Sequence, residues 1–130
     1  MSPQPAARPG RQVLAGITAL LFLAAFVVTH LPRHRVPRLG ASDTSLHGAG
    51  YFVLSAGLLA TFVAWGLRRR VRGPLLLAGL GAYAALDELT QPLVGRDAAW
   101  GDGIADLIGA ATALLVGELV LVACGAVRKR

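Results

Sequence analysis

Residues 103–127 read GIADLIGAATALLVGELVLVACGAV, 25 positions carrying only two charges, Asp106 and Glu118. A helix that crosses the hydrocarbon layer of a bilayer needs about 20 predominantly apolar residues, and this run exceeds that length. A spanning strand would alternate apolar and polar residues over about ten positions; the run is continuous, so a strand is excluded. Within it Ala105, Gly109, Ala113 and Gly117 recur every four residues, the small-residue stripe that lets helices in a membrane approach closely.

Three more apolar stretches lie upstream. Val13–Leu31 is uncharged until His30, and its apolar core is longer than the roughly 7–15 residues of a secretory signal, so it reads as a retained anchor. Leu46–Leu67 stops at Arg68-Arg69-Arg70, and a third stretch opens on Pro74, a residue suited to a first helical turn, and is stopped by Pro92. The expected fold is all-α, a polytopic membrane bundle of four transmembrane helices at about 13–31, 46–67, 74–91 and 103–127. These form one domain over 13–127, preceded by a disordered cytoplasmic lead-in over 1–12 and followed by a basic tail over 128–130.

Composition agrees. Of 130 residues 55% are hydrophobic and only 15% charged, against about 25% charged in soluble domains. That excludes a coiled coil and disfavours nucleic-acid binding despite the net charge of +6, because the basic residues punctuate long uncharged runs. With the N terminus in the cytoplasm, Arg8, Arg11, Arg68, Arg69, Arg70, Arg72, Arg128, Lys129 and Arg130 fall inside, and Arg33, Arg35, Arg38 and Arg96 fall outside. Nine against four places both termini in the cytoplasm. A cell membrane, crossed several times, is then the expected location, with Trp65 and Trp100 as interfacial anchors and the basic ends in contact with anionic lipids. The single cysteine, Cys124, is expected to pack as a small hydrophobe.

The acids gather at one level. Asp43, Asp87, Glu88, Asp97, Asp102 and Asp106 all fall at the outer boundary of this topology, and only Glu118 does not. Ionisable groups inside spanning segments are costly and mark functional sites. Asp43, His47, Tyr51 and Ser55 are successive i, i+4 neighbours, and Asp87 shares a face with Gln91. A carboxylate, an imidazole and an amide at three helix ends could hold a cation, move a proton, or grip a phosphate through Arg96 and His47. The alternative is a polar network that only locks the helix ends. Carboxylates and water suit Mg²⁺ or Ca²⁺, so a divalent cation stays open, but no His/Cys spacing indicates zinc and no metal ligands are assigned. Glu118 is expected to snorkel towards Arg68 or Arg69, or to stay protonated.

Three segments carry a family resemblance: Asp43-Thr44-Ser45-Leu46-His47-Gly48-Ala49-Gly50-Tyr51, Asp87-Glu88-Leu89-Thr90-Gln91, and Arg96 to Gly109. They resemble the VanZ-like family of small bacterial multi-spanning membrane proteins, whose eponym is linked to teicoplanin resistance. The pattern resembled is D-K-x-x-H-x-x-x-Y, D-E-x-x-Q and R-x-x-S-x-x-D-x-x-x-N-x-x-G; Thr44 stands in place of its lysine, Ala99 of its serine and Asp106 of its asparagine. The resemblance implies a protein that binds or acts on a cell-envelope component, lipid-linked or related to peptidoglycan. As an enzyme it would use His47 as acid–base group held by Asp43, with Asp87 or Glu88 as a second carboxylate and Gln91 beside them. Tyr51 and Arg96 would contact the substrate, with Asp102 and Asp106 orienting Arg96 or a cation. Arg96 is expected to turn inward onto at least one of Asp87, Glu88, Asp102 or Asp106. The rival class is a non-enzymatic accessory protein.

Overall fold

A computed structural model describes residues 9–32, 35, 40 and 42–125. The described residues form four long α-helices and no strand: α1 (Pro9–Thr29), α2 (Asp43–Ala64), α3 (Arg69–Thr90) and α4 (Trp100–Ala123), with a 3₁₀ turn at Gln91–Val94 between the last two. Arg8, Arg33, Arg38 and the basic tail 128–130 fall outside the described residues.

All four helices start earlier than expected. α1 begins on Pro9, whose missing N–H costs nothing in a first turn, so Pro9–Gln12 belongs to the helix and not to a lead-in. α2 begins at Asp43 because Ser42 caps it: the Ser42 Oγ accepts from the Ser45 backbone N–H at 3.1 Å. α3 takes up the arginine run and carries Pro74 in its interior. α4 gains Trp100–Asp102, placing Asp102 in a first turn where the helix dipole favours a carboxylate. α4 ends at Ala123, and Cys124 after it is exposed, contrary to the packed position expected of it.

α1, α2 and α4 are each long and apolar enough to cross a membrane. α3 falls short of that standard, since Arg69, Arg70 and Arg72 stand in its first turn and Asp87 and Glu88 in its last.

Neighbours in sequence run antiparallel, so α2 and α4 lie parallel, with their N-terminal ends together. The small residues set their separation. A Cβ added to Gly109 would run into the backbone of Gly48, and one added to Gly48 would meet the Ala105 carbonyl oxygen at 3.3 Å. Lower down, Ser55 donates to the Ala110 carbonyl at 2.8 Å, and Leu59 fills the space over Gly117. The stripe read from sequence is therefore the face that packs on α2. Leu76, Leu80 and Ala84 of α3 complete the core with Tyr51, Leu54, Leu59 and Ala110.

α1 is the outermost helix. Thr18 is its one buried residue, bonded to the Gly57 carbonyl and the Thr61 hydroxyl of α2, while Val13, Ile17, Leu20, Leu23 and Val27 are exposed. An apolar surface of that extent is what a lipid-facing helix presents.

At the end of the bundle opposite the acid cluster, Glu118 is buried with Arg72. The Arg72 Nε and NH2 donate to its two oxygens at 2.6 and 2.9 Å, and Arg69 reaches it at 3.1 Å. The expected Arg69 partner is present, but Arg72 supplies the bidentate grip, a role open to it only because α3 starts before it.

The α2–α4 contact yields a contrast. Gly109→Ala should lower the thermal stability of the detergent-purified protein, by about 1–3 kcal/mol for forced overpacking. Gly79→Ala, with nothing within 4 Å of the added Cβ, should be neutral or stabilising, by up to about 1 kcal/mol from helix propensity. Equal melting shifts for the two would contradict the packing described.

Candidate polar site at one end of the bundle

The C-terminal ends of α1 and α3 and the N-terminal ends of α2 and α4 meet at one level, and the polar side chains sit there. They divide into two groups by what satisfies them.

The first group ties helix ends together. Asp87, 1% exposed, accepts from the Thr29 hydroxyl at 2.7 Å through Oδ1 and from Gln91 Nε2 at 3.1 Å through Oδ2. His30 lies 3.6 Å from the same carboxylate and pairs with the Thr90 hydroxyl at 2.8 Å. The Thr44 hydroxyl donates to the buried Asp102 at 2.7 Å. Gly95, at φ 73°, makes the left-handed turn that returns the chain after Pro92 and brings Arg96 over the bundle. Arg96 does turn inward and is buried, but its ion pair is with Asp43, at 2.9 Å, and its NH1 lies 3.5 Å from the Val28 carbonyl. None of the four carboxylates expected for it is its partner among the described residues. Asp43 sits at the first residue of α2, the level at which the short loop delivers the guanidinium, whereas Asp102 and Asp106 are engaged from α2.

The second group is less satisfied. His47 is held by Asp106 and not by Asp43: Nδ1 lies 3.1 Å from Asp106 Oδ1, both side chains buried. An i, i+4 neighbour on the same helix loses here to a residue 59 positions away, because the Gly48–Gly109 contact places α4 directly against that face of α2. Glu88 Oε2 accepts from the Ala99 backbone N–H at 2.8 Å. The second oxygens of Glu88 and Asp106 and the Tyr51 hydroxyl are buried without a hydrogen-bond partner among the described residues. Such atoms cost roughly 1–3 kcal/mol each when left unpaired and are uncommon enough to call for an occupant. One nitrogen of His47 and one oxygen each of Glu88 and Asp106 all lie within 4.8 Å of one another. These three helices thus bring together a set of potential metal ligands to which no local spacing points.

Glu88 also faces outward. It lines an apolar groove of about 550 Å³ between α3 and the start of α4, walled by Ala84, Leu89, Trp100, Ile104 and Leu107. On the other side, a cavity of about 120 Å³ between α1 and α2 is lined by Asp43, His47, Tyr51 and Arg96. Asp97 is exposed in the loop.

All nine of the site residues expected from sequence (Asp43, His47, Tyr51, Asp87, Glu88, Gln91, Arg96, Asp102 and Asp106) lie at this end of the bundle, though in different pairs from those expected. Sequence reading missed Thr29 and His30 of α1 as partners of this cluster; their place at the end of an apolar run, level with Asp87, was the available signal. It also missed that Thr44 and the Ala99 amide each hold a carboxylate. Comparison with known proteins found no matching family model, no matching curated protein and no matching solved structure.

The locking group yields a stability test. In Asp87→Asn an amide NH₂ must face either the Thr29 or the Gln91 donor, which should cost about 1–3 kcal/mol in detergent unfolding. Asp97→Asn, on the exposed loop, should leave stability unchanged. An Asp87→Asn protein as stable as the parent would show that this carboxylate does not tie the helix ends.

Proposed function

We propose that this chain is a VanZ-like integral membrane protein of the bacterial cytoplasmic membrane that binds a lipid-linked, anionic cell-envelope component at the outer face. The observation that carries the reading is the position of Glu88. It belongs to the buried polar group with His47 and Asp106 and at the same time lines an apolar groove between α3 and α4. A ligand with a long hydrocarbon tail and a polar head fits that combination: the tail lies along Leu89, Ile104 and Leu107, and the head reaches Glu88, which is grouped with the buried His47. An entirely water-soluble ligand would gain little from the groove.

The convergence of the three motif-like segments supports the family reading. His47 meets Asp106, Thr44 meets Asp102, Arg96 meets Asp43, and Ala99 meets Glu88, so segments far apart in sequence act at one place. Thr44 stands where the resembled pattern has lysine, and its contact with Asp102 is one that a lysine could make as an ion pair.

In this proposal α3 is a fourth span. Its 22 residues reach about 33 Å at 1.5 Å per residue, enough to cross, and its buried charges are paired by Glu118 at one end and by Thr29 and Gln91 at the other. Both termini are cytoplasmic by the distribution of arginines. Where the chain acts chemically on its ligand, His47 is the acid–base group and Asp106 its orienting carboxylate, while Asp87, Gln91, Asp43 and Arg96 hold the frame.

Two experiments test this. With single cysteines at Ser42, Arg70 and Ala98 in a Cys124→Ala background, positions 42 and 98 should label from outside intact cells and position 70 should not; the reverse pattern overturns the orientation. Expressed in a teicoplanin-susceptible bacterium, the chain should raise tolerance of the glycopeptide, and His47→Ala should remove the effect at equal membrane abundance. A parent chain that leaves susceptibility unchanged would count against the envelope role.

A further inference from the structure

The site contains an electrostatic conflict with its proposed ligand. Among the described residues, Asp43, Asp87, Glu88, Asp102 and Asp106 gather at this end with one buried arginine, Arg96, which pairs with Asp43. An anionic head entering along the groove meets Glu88 first, and like charges repel strongly where water is scarce.

We propose that His47 Nδ1, a carboxylate oxygen of Glu88 and a carboxylate oxygen of Asp106 together bind one divalent first-row transition-metal ion, of the Mn²⁺ to Zn²⁺ type, which receives the anionic head. Three observations support the site. One ring nitrogen of His47 and one carboxylate oxygen each of Glu88 and Asp106, from three different helices, lie within 4.8 Å of one another. The 3.1 Å between His47 Nδ1 and Asp106 Oδ1 is close to the roughly 3.3 Å separating two ligands of a tetrahedral ion with bonds near 2.0 Å. Finally, Asp106 is fully buried, yet its Oδ2 has no partner among the described residues; the Tyr51 hydroxyl and Glu88 Oε1 are likewise unengaged.

Each of these atoms has a use around an ion. The Asp106 carboxylate and Glu88 Oε1 supply negative ligands, and Glu88 is steadied through its other oxygen by the Ala99 amide, the outer-shell support that ligating carboxylates usually have. Tyr51, one turn from His47 on α2, can hydrogen-bond an ion-bound water. Imidazole with two carboxylates suits Mn²⁺ or Zn²⁺ better than Ca²⁺, which prefers oxygen alone. Three protein ligands leave further coordination positions for a phosphate or carboxylate of the ligand, the open arrangement of ion sites that bind substrate. His47 binds through Nδ1 as the neutral tautomer with its proton on Nε2, so the ion takes the place of the hydrogen bond between His47 and Asp106. The role of the ion rests on the lipid reading above; its binding does not.

The test uses the full chain, purified in detergent and stripped with EDTA. Isothermal titration with Zn²⁺ should show one saturable site per chain, and Cu²⁺ or Mn²⁺ bound there should show nitrogen coupling from one imidazole in pulsed EPR. Glu88→Gln and Asp106→Asn should each weaken Zn²⁺ binding by more than the roughly 10–100-fold typical of losing an outer-shell partner; Asp97→Asn should bind as the parent does. Glu88→Gln, whose side chain is only half-buried, keeps the test open should Asp106→Asn fail to fold. No saturable binding, binding that survives both substitutions, or no nitrogen coupling would overturn the ion site. Photo-crosslinking of a polyprenyl phosphate to a probe at Trp100 separates the two proposals. Crosslinking without any Zn²⁺ site removes the ion and leaves the lipid, and Zn²⁺ binding without crosslinking at any ion level does the opposite.

Discussion

The backbone of α2 meets the backbone of α4 at Gly48 and Gly109, and the polar end of the bundle depends on that contact. A helix pair in lipid gains nothing from excluding water, so its association rests on close packing and hydrogen bonds between helices. Two glycines in register bring the axes together, and the residues one step outward are then fixed: His47 lands on Asp106 and Thr44 on Asp102, while Ser55 below finds the Ala110 carbonyl. A larger side chain at either glycine would separate all three pairs together. The same contact explains why His47 pairs with Asp106 and not with Asp43, its i−4 neighbour.

The polar cluster combines two functions of buried charge. Asp87 has both oxygens occupied by protein donors, and Arg96 has a carboxylate and a carbonyl within reach. Groups so satisfied stiffen the helix ends. Glu88 and Asp106 each keep one oxygen in reserve, and the Tyr51 hydroxyl joins them. Fixed neighbours hold unsatisfied atoms in place, and preorganisation of that kind is what a binding site needs.

Much of this could be read from the chain. The apolar runs, the level at which the acids gather and the small-residue face of α4 all follow from periodicity and rise per residue, which are local. The helix starts were legible only in part: Pro74 looked like a beginning because proline is favoured there, but Arg69, Arg70 and Arg72 are good helix formers, and Glu118, far along the chain, answers the charge of Arg69 and Arg72. Pairings across helices were the least legible. Spacing along one helix pointed His47 to Asp43, whereas the partner actually used is set by how deeply two helices interpenetrate. For the same reason no short motif announced the grouping of His47, Glu88 and Asp106, since each comes from a different helix.

The buried pair of Arg72 and Glu118 has a consequence for how the chain is made. The arginine is synthesised 46 residues before the carboxylate that neutralises it. While the ribosome is still translating α4, Arg72 has no buried acidic counterpart, and α3 is the helix least able to enter lipid by its own hydropathy. The packing of α3 at this end is therefore complete only once Glu118 of the last helix has been made. A chain that stops before Glu118 holds an arginine in α3 without the carboxylate that pairs with it.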